Sequence, residues 1–170
     1  MRWTSARSRT MSFLAPALSG RVGLTIARYR GEFCTTPGRG VITVDGHEVA
    51  AFGTAEYWRA HQNRRRELQA QGLGYDQARD QLQAEGVLGF WDFERAVETY
   101  PDFSIEAALV CPDPIIRALA MLDRRLGKRR LNTLELTSDL PFVRALYGLR
   151  CSAETMHHQP LASAQVDLIE

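Results

Sequence analysis

VITVDGHEVAAF, residues 41–52, is the stretch that decides the fold. Two runs rich in β-forming residues flank Asp45 and Gly46, and an Asp-Gly pair in that setting is the strongest short-range signal of a β-hairpin. Residues 21–30 come before it and alternate apolar with small or polar side chains, which is typical of a half-buried strand. The sequence therefore predicts a three-stranded antiparallel β-meander within residues 21–52.

After this predicted sheet, the apolar spacing changes to that of a helix, and we expect helices within residues 54–150. Thr54 is the expected N-cap of the first helix. The best-defined helix covers residues 114–126, with Asp113 as its N-cap and Gly127 directly after its end. The fold class is therefore α+β, in which a short N-terminal three-stranded antiparallel meander packs against a C-terminal helical bundle.

Length and composition are those of an ordinary globular protein. The chain has 170 residues, of which 45% are hydrophobic and 24% are charged, and this corresponds to about one domain. We expect a single α+β domain over residues 1–152 and a flexible tail over residues 153–170. Glycine and proline mark residues 31–40 as a loop, and residues 3–18 read as a short helix or arm that ends near Pro16.

No stretch of the sequence predicts export or a membrane span. The apolar runs fall short of the ~20 residues that cross a bilayer, and the apolar stretch at residues 11–14 is too short for a signal peptide. Three widely spaced cysteines favour free thiols in a reducing compartment. We therefore expect a cytoplasmic protein that makes no membrane contact.

The formal net charge of +1 conceals three charge blocks. Residues 1–44 carry seven arginines against one glutamate, residues 76–113 carry nine acids against two arginines, and residues 114–150 carry eight basic residues against three acids. Such blocks either steer a charged partner or neutralise one another when the acidic centre packs against the basic flanks. Internal neutralisation is the favoured interpretation, because the charges sum to nearly zero.

The densest basic cluster surrounds Gly127. It comprises Arg124, Arg125, Lys128, Arg129 and Arg130, with Arg117 as an extension, and we call these six cations the Gly127 cluster. Cations so close together bind anionic groups, although the helix dipole also favours basic residues at a helix C-terminus. Asp123 lies beside the apolar face of the same predicted helix, which predicts a structural carboxylate that is either partly buried and held by an arginine or caps the next helix.

A second basic stretch covers residues 57–66 and mixes aromatic residues with arginines. Aromatic rings beside arginines stack on the unpaired bases of nucleic acids. The competing interpretation is that Trp58 packs its helix onto the sheet, since large aromatic residues mostly supply buried area.

Three stretches together resemble a family of small uncharacterised bacterial proteins: LAPALSGRV at 14–22, ITVDG at 42–46 and IIRALAMLDRRLGKRRL at 115–131. In that family the first stretch reads LCPAL. Ala15 stands here in place of the cysteine, so a thiol role at this position does not carry over. The resemblance implies a bacterial cytoplasmic protein, and it implies no activity.

Other candidate sites have unfavourable spacing. A nucleophile–base–acid set would consist of Cys34, His47 and Asp45, but its spacing matches no usual pattern. A three-ligand metal set would consist of Cys151, His157 and His158, and its spacing also matches no usual pattern. Asp92 and Glu94 fall on the wet side of an apolar stripe and indicate solubility rather than acid–base catalysis. The sequence contains no phosphate loop and no dinucleotide fingerprint. We therefore expect no catalytic residue, no metal site and no cofactor.

These observations support two functional hypotheses. The leading one is a non-enzymatic interaction protein that binds a macromolecular partner, in the first place another protein, through the Gly127 cluster. The alternative is a nucleic-acid-binding protein that uses the basic stretches at residues 57–66 and 124–130. The sequence leaves the oligomeric state open.

Overall fold

The computed structural model describes residues 2–30 and 37–156, and it contains the expected antiparallel sheet. Strand β1 covers Val22–Arg28, β2 covers Gly38–Val44 and β3 covers His47–Gly53. The strands lie in the order β1-β2-β3, and both neighbouring pairs are antiparallel. The predicted meander is therefore confirmed.

The turn between β2 and β3 is formed by the Asp-Gly pair. Asp45 has a φ of 49° and Gly46 a φ of 80°, and a type I′ turn requires positive φ at both positions. Arg21 fixes this turn, because its backbone oxygen accepts a hydrogen bond from the Asp45 N–H and its guanidinium binds the Asp45 carboxylate at 2.7 Å.

Two glycines at the start of β2 let a helix pack closely on the sheet. Residues 31–40 were expected to form a loop, but residues 38–40 pair with β1. A Cβ on Gly40 would overlap the ring of Phe93, and a Cβ on Gly38 would lie 2.9 Å from the ring of Phe90. Glycine normally weakens a strand, but here the absence of a side chain admits two aromatic rings.

Eight α-helices lie within the described residues. Helix α1 precedes the sheet and the others follow it: α1 Trp3–Met11, α2 Thr54–Ala70, α3 Tyr75–Ala84, α4 Phe90–Thr99, α5 Ile105–Leu109, α6 Pro114–Leu122, α7 Lys128–Leu131 and α8 Pro141–Met156. Short 3₁₀ turns occupy Pro16–Leu18 and Tyr100–Asp102. Helix α4 packs on β2, while α8 contacts both β3 and α6. The α+β class is therefore confirmed.

The apolar stripe of α4 and the residue after it forms the centre of the core. Its four residues are all buried: Phe90, Phe93, Val97 and Tyr100. Phe93 stacks on Phe52 of β3 with ring centroids 5.3 Å apart. Every residue of α6 except Arg117 is also buried, so α4 and α6 together fill the space over the sheet.

Two capping predictions are wrong, and each error has a local cause. Thr54 is the first residue of α2 rather than its N-cap, because its hydroxyl bonds to the backbone of Gly38. Helix α6 ends at Leu122, earlier than predicted, because Asp123 adopts an extended conformation with ψ of 134°. Gly127 is therefore the N-cap of α7, with an ordinary φ of −67°.

Helices α2 and α3 form a hairpin that has its own small core. Leu68, Ala78 and Leu82 are buried together, and Leu73 and Val87 pack against them. Because this core is separate from the main one, most of α2 lies at the surface. The arginines of α2 are carried on this surface helix.

Helix α8 extends to Met156, beyond the predicted helical region, and includes the first residues of the predicted tail. The rest of that tail, residues 157–170, lies outside the described residues, as do residues 31–36. The assignment of one domain followed by a tail stays a prediction.

Candidate nucleic-acid interface

The Gly127 cluster is only partly a surface feature. Arg125 binds the carboxylate of Asp123 through Nη2 at 2.7 Å and Nε at 3.0 Å, and that carboxylate is fully buried. The Tyr100 hydroxyl donates to the same carboxylate at 2.5 Å. The Arg125 guanidinium lies 4.0 Å from the centre of the Phe13 ring. Arg125 therefore neutralises an internal charge rather than facing a partner.

Arg150 of α8 is buried against the same turn. Its Nη1 donates to the backbone oxygen of Asp123 at 2.9 Å, its Nη2 donates to that of Leu126 at 3.3 Å, and its Nε binds Glu154 at 2.9 Å. Carbonyl oxygens near a helix end lack hydrogen-bond donors within the helix. Arg150 supplies such a donor at the end of α6. The turn between α6 and α7 is therefore held by two arginines that serve the fold.

Three further members of the Gly127 cluster have acidic partners: Arg117 binds Asp139, Lys128 binds Glu154 and Arg130 binds Glu106. Arg117 is also committed to the backbone, since its Nη1 donates to the Cys111 oxygen at 2.6 Å. Arg124 and Arg129 are exposed, and neither side chain has an ionic or hydrogen-bonding partner within residues 2–30 and 37–156. These two members are the ones that keep an uncompensated charge.

The acidic block at residues 76–113 is joined to the basic flanks, residues 1–44 and 114–150, by three ion pairs: Arg9 with Asp102, Arg28 with Glu94 and Arg130 with Glu106. A further pair joins Glu85 of this block to Arg64 of α2, which lies outside both flanks. The Arg64–Glu85 pair is bidentate, with both bonds at 2.8 Å. Hydrogen bonding from Arg64 lowers the pKa of Glu85 to about 2. The three pairs to the flanks are what the internal interpretation of the charge blocks predicts.

Other cations without acidic partners lie on one face of α2. We use the name α2 surface for Trp58, Arg59, Gln62, Arg65 and Arg66, whose spacing places them on one side of the helix. Arg59 and Arg66 are exposed and have no hydrogen bond or ion pair in the described part of the chain. Arg64 differs from them, because it is held by carboxylates of Glu67 and Glu85.

Trp58 is exposed, so the expectation that it packs α2 onto the sheet is wrong. The residue is 41% exposed, and it lines a depression of about 240 Å³ together with Arg65 and Arg66. The ring of Tyr57 meets Trp91 of α4 with centroids 4.7 Å apart, and the ring of Trp58 lies 6.2 Å from the same Trp91 ring. The Tyr57–Trp91 pair attaches α2 to the body of the protein, and Trp58 remains at the surface.

His61 lies in the same depression as a buried, uncharged ring. It stacks on Tyr57 with ring centroids 4.9 Å apart and meets the edge of Trp58 at 5.5 Å. Burial lowers the pKa of His61, and the charge of Arg65 lowers it further. The ring is therefore neutral near neutral pH, and the positive charge of the α2 surface comes from its arginines.

A second exposed aromatic ring stands on α3. Tyr75 is 60% exposed, and the Arg65 guanidinium lies 5.7 Å from the centre of its ring. Arg65 thus lines the depression at Trp58 and also covers Tyr75. The helical hairpin carries two exposed rings with arginines next to both.

A cavity of about 380 Å³ lies where α2, α3 and α4 meet. Tyr57 and Trp91 line it with their rings, and Arg79, Asp92 and Arg95 supply its charged groups. Burial raises the pKa of the Tyr57 hydroxyl, and the charge of Asp92 raises it further. This cavity adjoins the aromatic cluster that underlies the α2 surface.

Each of the two sets of candidate reactive residues lies partly outside the described residues. Asp45 is bound by Arg21 and so does not orient His47. Cys34, His157 and His158 lie outside the described residues. Across residues 2–30 and 37–156, no three His, Cys, Asp or Glu side chains are grouped to hold a metal ion. None of the helices described there has the length and apolar character needed to cross a membrane.

A family model described as the SF0329 protein family matches residues 2–151. The chain belongs to the SF0329 protein family. Neither a curated protein nor a solved structure matches it. The SF0329 match includes both the α2 surface and the Gly127 cluster.

Sequence reasoning missed three residues of this site in the SF0329 chain: Tyr75, Trp91 and Asp92. Asp92 was assigned to the wet face of α4, but its side chain is only 13% exposed, because it accepts a hydrogen bond from the Gly89 N–H. Asp92 is at N3 of α4 and supplies one half of a capping box, since Gly89 has no side chain for the other half, and an acidic residue in the first turn was the signal available in the sequence. The two aromatic residues gave no such signal, since their position depends on how α3 and α4 pack around α2.

Proposed function

We propose that this protein binds single-stranded nucleic acid through the α2 surface. The observation that carries the proposal is the exposed ring of Trp58, 41% accessible, on the same helix face as Arg59 and Arg66. Surfaces that bind unpaired strands combine aromatic rings, on which bases stack, with cations that follow the phosphates.

The aromatic half of this surface is ready for stacking. Trp58 is held at its edge by His61, and Tyr75 is 60% exposed on the neighbouring helix. Base stacking on such rings contributes about 1–3 kcal/mol per base and tolerates any sequence. An unpaired strand that crosses the hairpin therefore meets two rings, with Arg65 adjacent to both.

The cationic half is available because it is not neutralised internally. Arg59 and Arg66 have no acidic partner among the described residues, whereas four members of the Gly127 cluster are paired. A paired arginine must give up its carboxylate before it binds a phosphate, and an unpaired one does not. The Gly127 cluster also keeps two unpaired arginines, Arg124 and Arg129, so it is the exposed ring of Trp58 beside the unpaired cations that favours the α2 surface as the nucleic-acid contact.

The test is the affinity of the purified protein for a fluorescein-labelled single strand of about twelve mixed nucleotides, measured by anisotropy at low salt. Trp58→Ala removes one stacking ring and should weaken binding by roughly 5- to 150-fold. Arg59→Gln with Arg66→Gln should also weaken it. Undetectable binding of wild-type protein to both RNA and DNA at low salt would end the proposal.

The matched control is the double variant Arg124→Gln with Arg129→Gln. It removes the same charge from exposed positions that have no acidic partner among the described residues, but it does so on the other surface. The proposal expects this control to bind the strand nearly as tightly as wild type. An equal loss in both double variants would show that net charge, rather than the α2 surface, determines binding.

A second candidate function is the binding of an acidic protein partner at the Gly127 cluster. It is favoured by the exposure of Arg124 and Arg129. These are the two members of the cluster that make no ion pair within the described residues. A nuclease-treated pull-down should recover one stoichiometric partner with wild-type protein and lose it with Arg124→Gln and Arg129→Gln. Recovery of the same partner by both proteins would contradict this candidate.

Both candidate functions are compatible with a location in the bacterial cytoplasm, which the sequence resemblance implies. Neither requires a cofactor or a catalytic residue. The nuclease step separates them in one experiment, because a partner retained only through nucleic acid disappears with the treatment.

A further inference from the structure

We infer that the cavity where α2, α3 and α4 meet binds an unpaired guanine base of the strand. The inference rests on the proposed function and names the base that it recognises. It follows from three features of the cavity: its aromatic lining, a carboxylate with unused acceptor sites, and an exposed arginine at its edge.

The cavity has the size and lining of a site for a flat aromatic group. Its volume of about 380 Å³ falls in the ~300–1,000 Å³ range of small-molecule pockets. The rings of Tyr57 and Trp91 line it, and Leu82 and Val87 add apolar surface. Aromatic and aliphatic groups together favour a ring that stacks over one that is fully hydrated.

Asp92 provides the polar recognition. Its Oδ1 accepts a hydrogen bond from Arg95 Nη2 at 2.7 Å, and its Oδ2 accepts one from the Gly89 N–H at 2.9 Å. An ionised carboxylate has about four acceptor sites. Among residues 2–30 and 37–156, one site on each oxygen is therefore unused, and the side chain lines the cavity while only 13% exposed.

Two adjacent acceptors select guanine among the standard bases. The Watson–Crick edge of guanine presents the N1–H and the N2 amino group side by side, and both are donors. Adenine and cytosine place a ring acceptor beside their amino group, and uracil places carbonyl acceptors beside its single donor. Those bases would leave an acceptor facing the Asp92 carboxylate, and an unpaired buried polar contact is unfavourable.

Arg79 and Arg95 have different roles in this arrangement. Both side chains are 58% exposed, but Arg95 is bound to Asp92 and serves to position that carboxylate. Within the part of the chain that the structure describes, Arg79 pairs only with exposed carboxylates, those of Asp80 and Asp76. Exposed ion pairs are weak, so Arg79 can exchange a carboxylate for the phosphate of the bound nucleotide.

The test compares two uridine-rich strands that differ at one central position, guanine or adenine. Wild-type protein should bind the guanine strand at least about fivefold more tightly, as expected for a bidentate contact. Asp92→Asn should abolish this preference, so that the guanine and adenine strands bind with equal affinity. The asparagine oxygen can still accept from the Gly89 N–H, so helix α4 keeps its cap.

Asp102→Asn is the matched control, because Asp102 is exposed and pairs with Arg9 away from the cavity. It should retain the full guanine preference. Equal binding of the two strands by wild-type protein overturns the inference and leaves the α2 surface proposal standing. In that case Trp58→Ala should still weaken the binding of both strands, which distinguishes failure of the guanine site from failure of the α2 surface.

The mononucleotides GMP and AMP provide an independent measurement, by quenching of tryptophan fluorescence. GMP should quench at lower concentration than AMP, and Asp92→Asn should remove the difference. Equal quenching by the two nucleotides counts against a guanine site whether or not the longer strands bind.

Discussion

Arg125 and Asp123 form a bidentate ion pair in which the carboxylate is completely buried and the guanidinium is 28% exposed. The next residue back, Arg124, is exposed and has no ionic partner within the described ranges. Two adjacent arginines of one basic cluster therefore have opposite roles. One stabilises the fold, and the other is free to contact a partner.

This contrast predicts different effects on stability. Arg125→Ala leaves the buried Asp123 carboxylate without its cation and should lower the free energy of unfolding by roughly 3 kcal/mol. Arg124→Ala should change it by less than about 0.5 kcal/mol, as is usual for exposed positions. Urea unfolding followed by circular dichroism measures both. Similar values for the two variants would contradict the assignment of Arg125 to the fold.

Two glycines predict opposite responses to the same substitution. Gly40→Ala forces a methyl group into the ring of Phe93 and should destabilise the protein by about 1–3 kcal/mol. Gly148 lies in α8 with open space around its Cα. Gly148→Ala should stabilise the protein by about 0.5–1 kcal/mol, because it raises helix propensity. A stabilising Gly40→Ala would show that the sheet and α4 are not in close contact.

The Arg64–Glu85 pair predicts a pH-dependent contribution to stability. The pKa of Glu85 is lowered from 4.5 to about 2 in the folded protein, so the folded state favours the ionised form. The stabilisation is therefore fully present above about pH 4.5 and is lost as the pH falls toward about 2. Glu85→Gln should lower the melting temperature near neutral pH, and the difference from wild type should shrink in acid.

The control for this series is Glu135→Gln, because Glu135 is exposed and has no partner in the described part of the chain. Its melting temperature should follow that of wild type over the whole pH range. A difference between wild type and Glu85→Gln that persists unchanged at the lowest pH would rule out the ion pair as its cause.

The sequence predicts the sheet because the signals for it are local. Asp45 and Gly46 determine the turn by their own backbone preferences, and the apolar stripe from Phe90 to Tyr100 follows from helical spacing alone. Gly38 and Gly40 were misread, since their role depends on aromatic rings more than fifty residues away. The spacing of neighbouring residues does not predict contacts between residues so far apart in the sequence.

The charged residues show the same limit more clearly. A run of cations around Gly127 looks uniform in the sequence, and yet burial of Asp123 commits Arg125 to the interior while Arg129 stays exposed. The exposure of Trp58 was also missed, because it depends on how α4 packs on α2, where Tyr57 and Trp58 both meet Trp91. Pairing and exposure are properties of the packed chain, and spacing alone does not contain them.

The most direct test of the central claim is the salt dependence of single-strand binding, measured between about 50 mM and 200 mM salt. Arg59→Gln with Arg66→Gln removes two phosphate contacts and should reduce the slope of log K against log salt by about 1.4. Trp58→Ala should weaken binding at every salt concentration and leave the slope unchanged, because stacking releases no counterions. An unchanged slope in the arginine variant would contradict the claim that the α2 surface binds the strand.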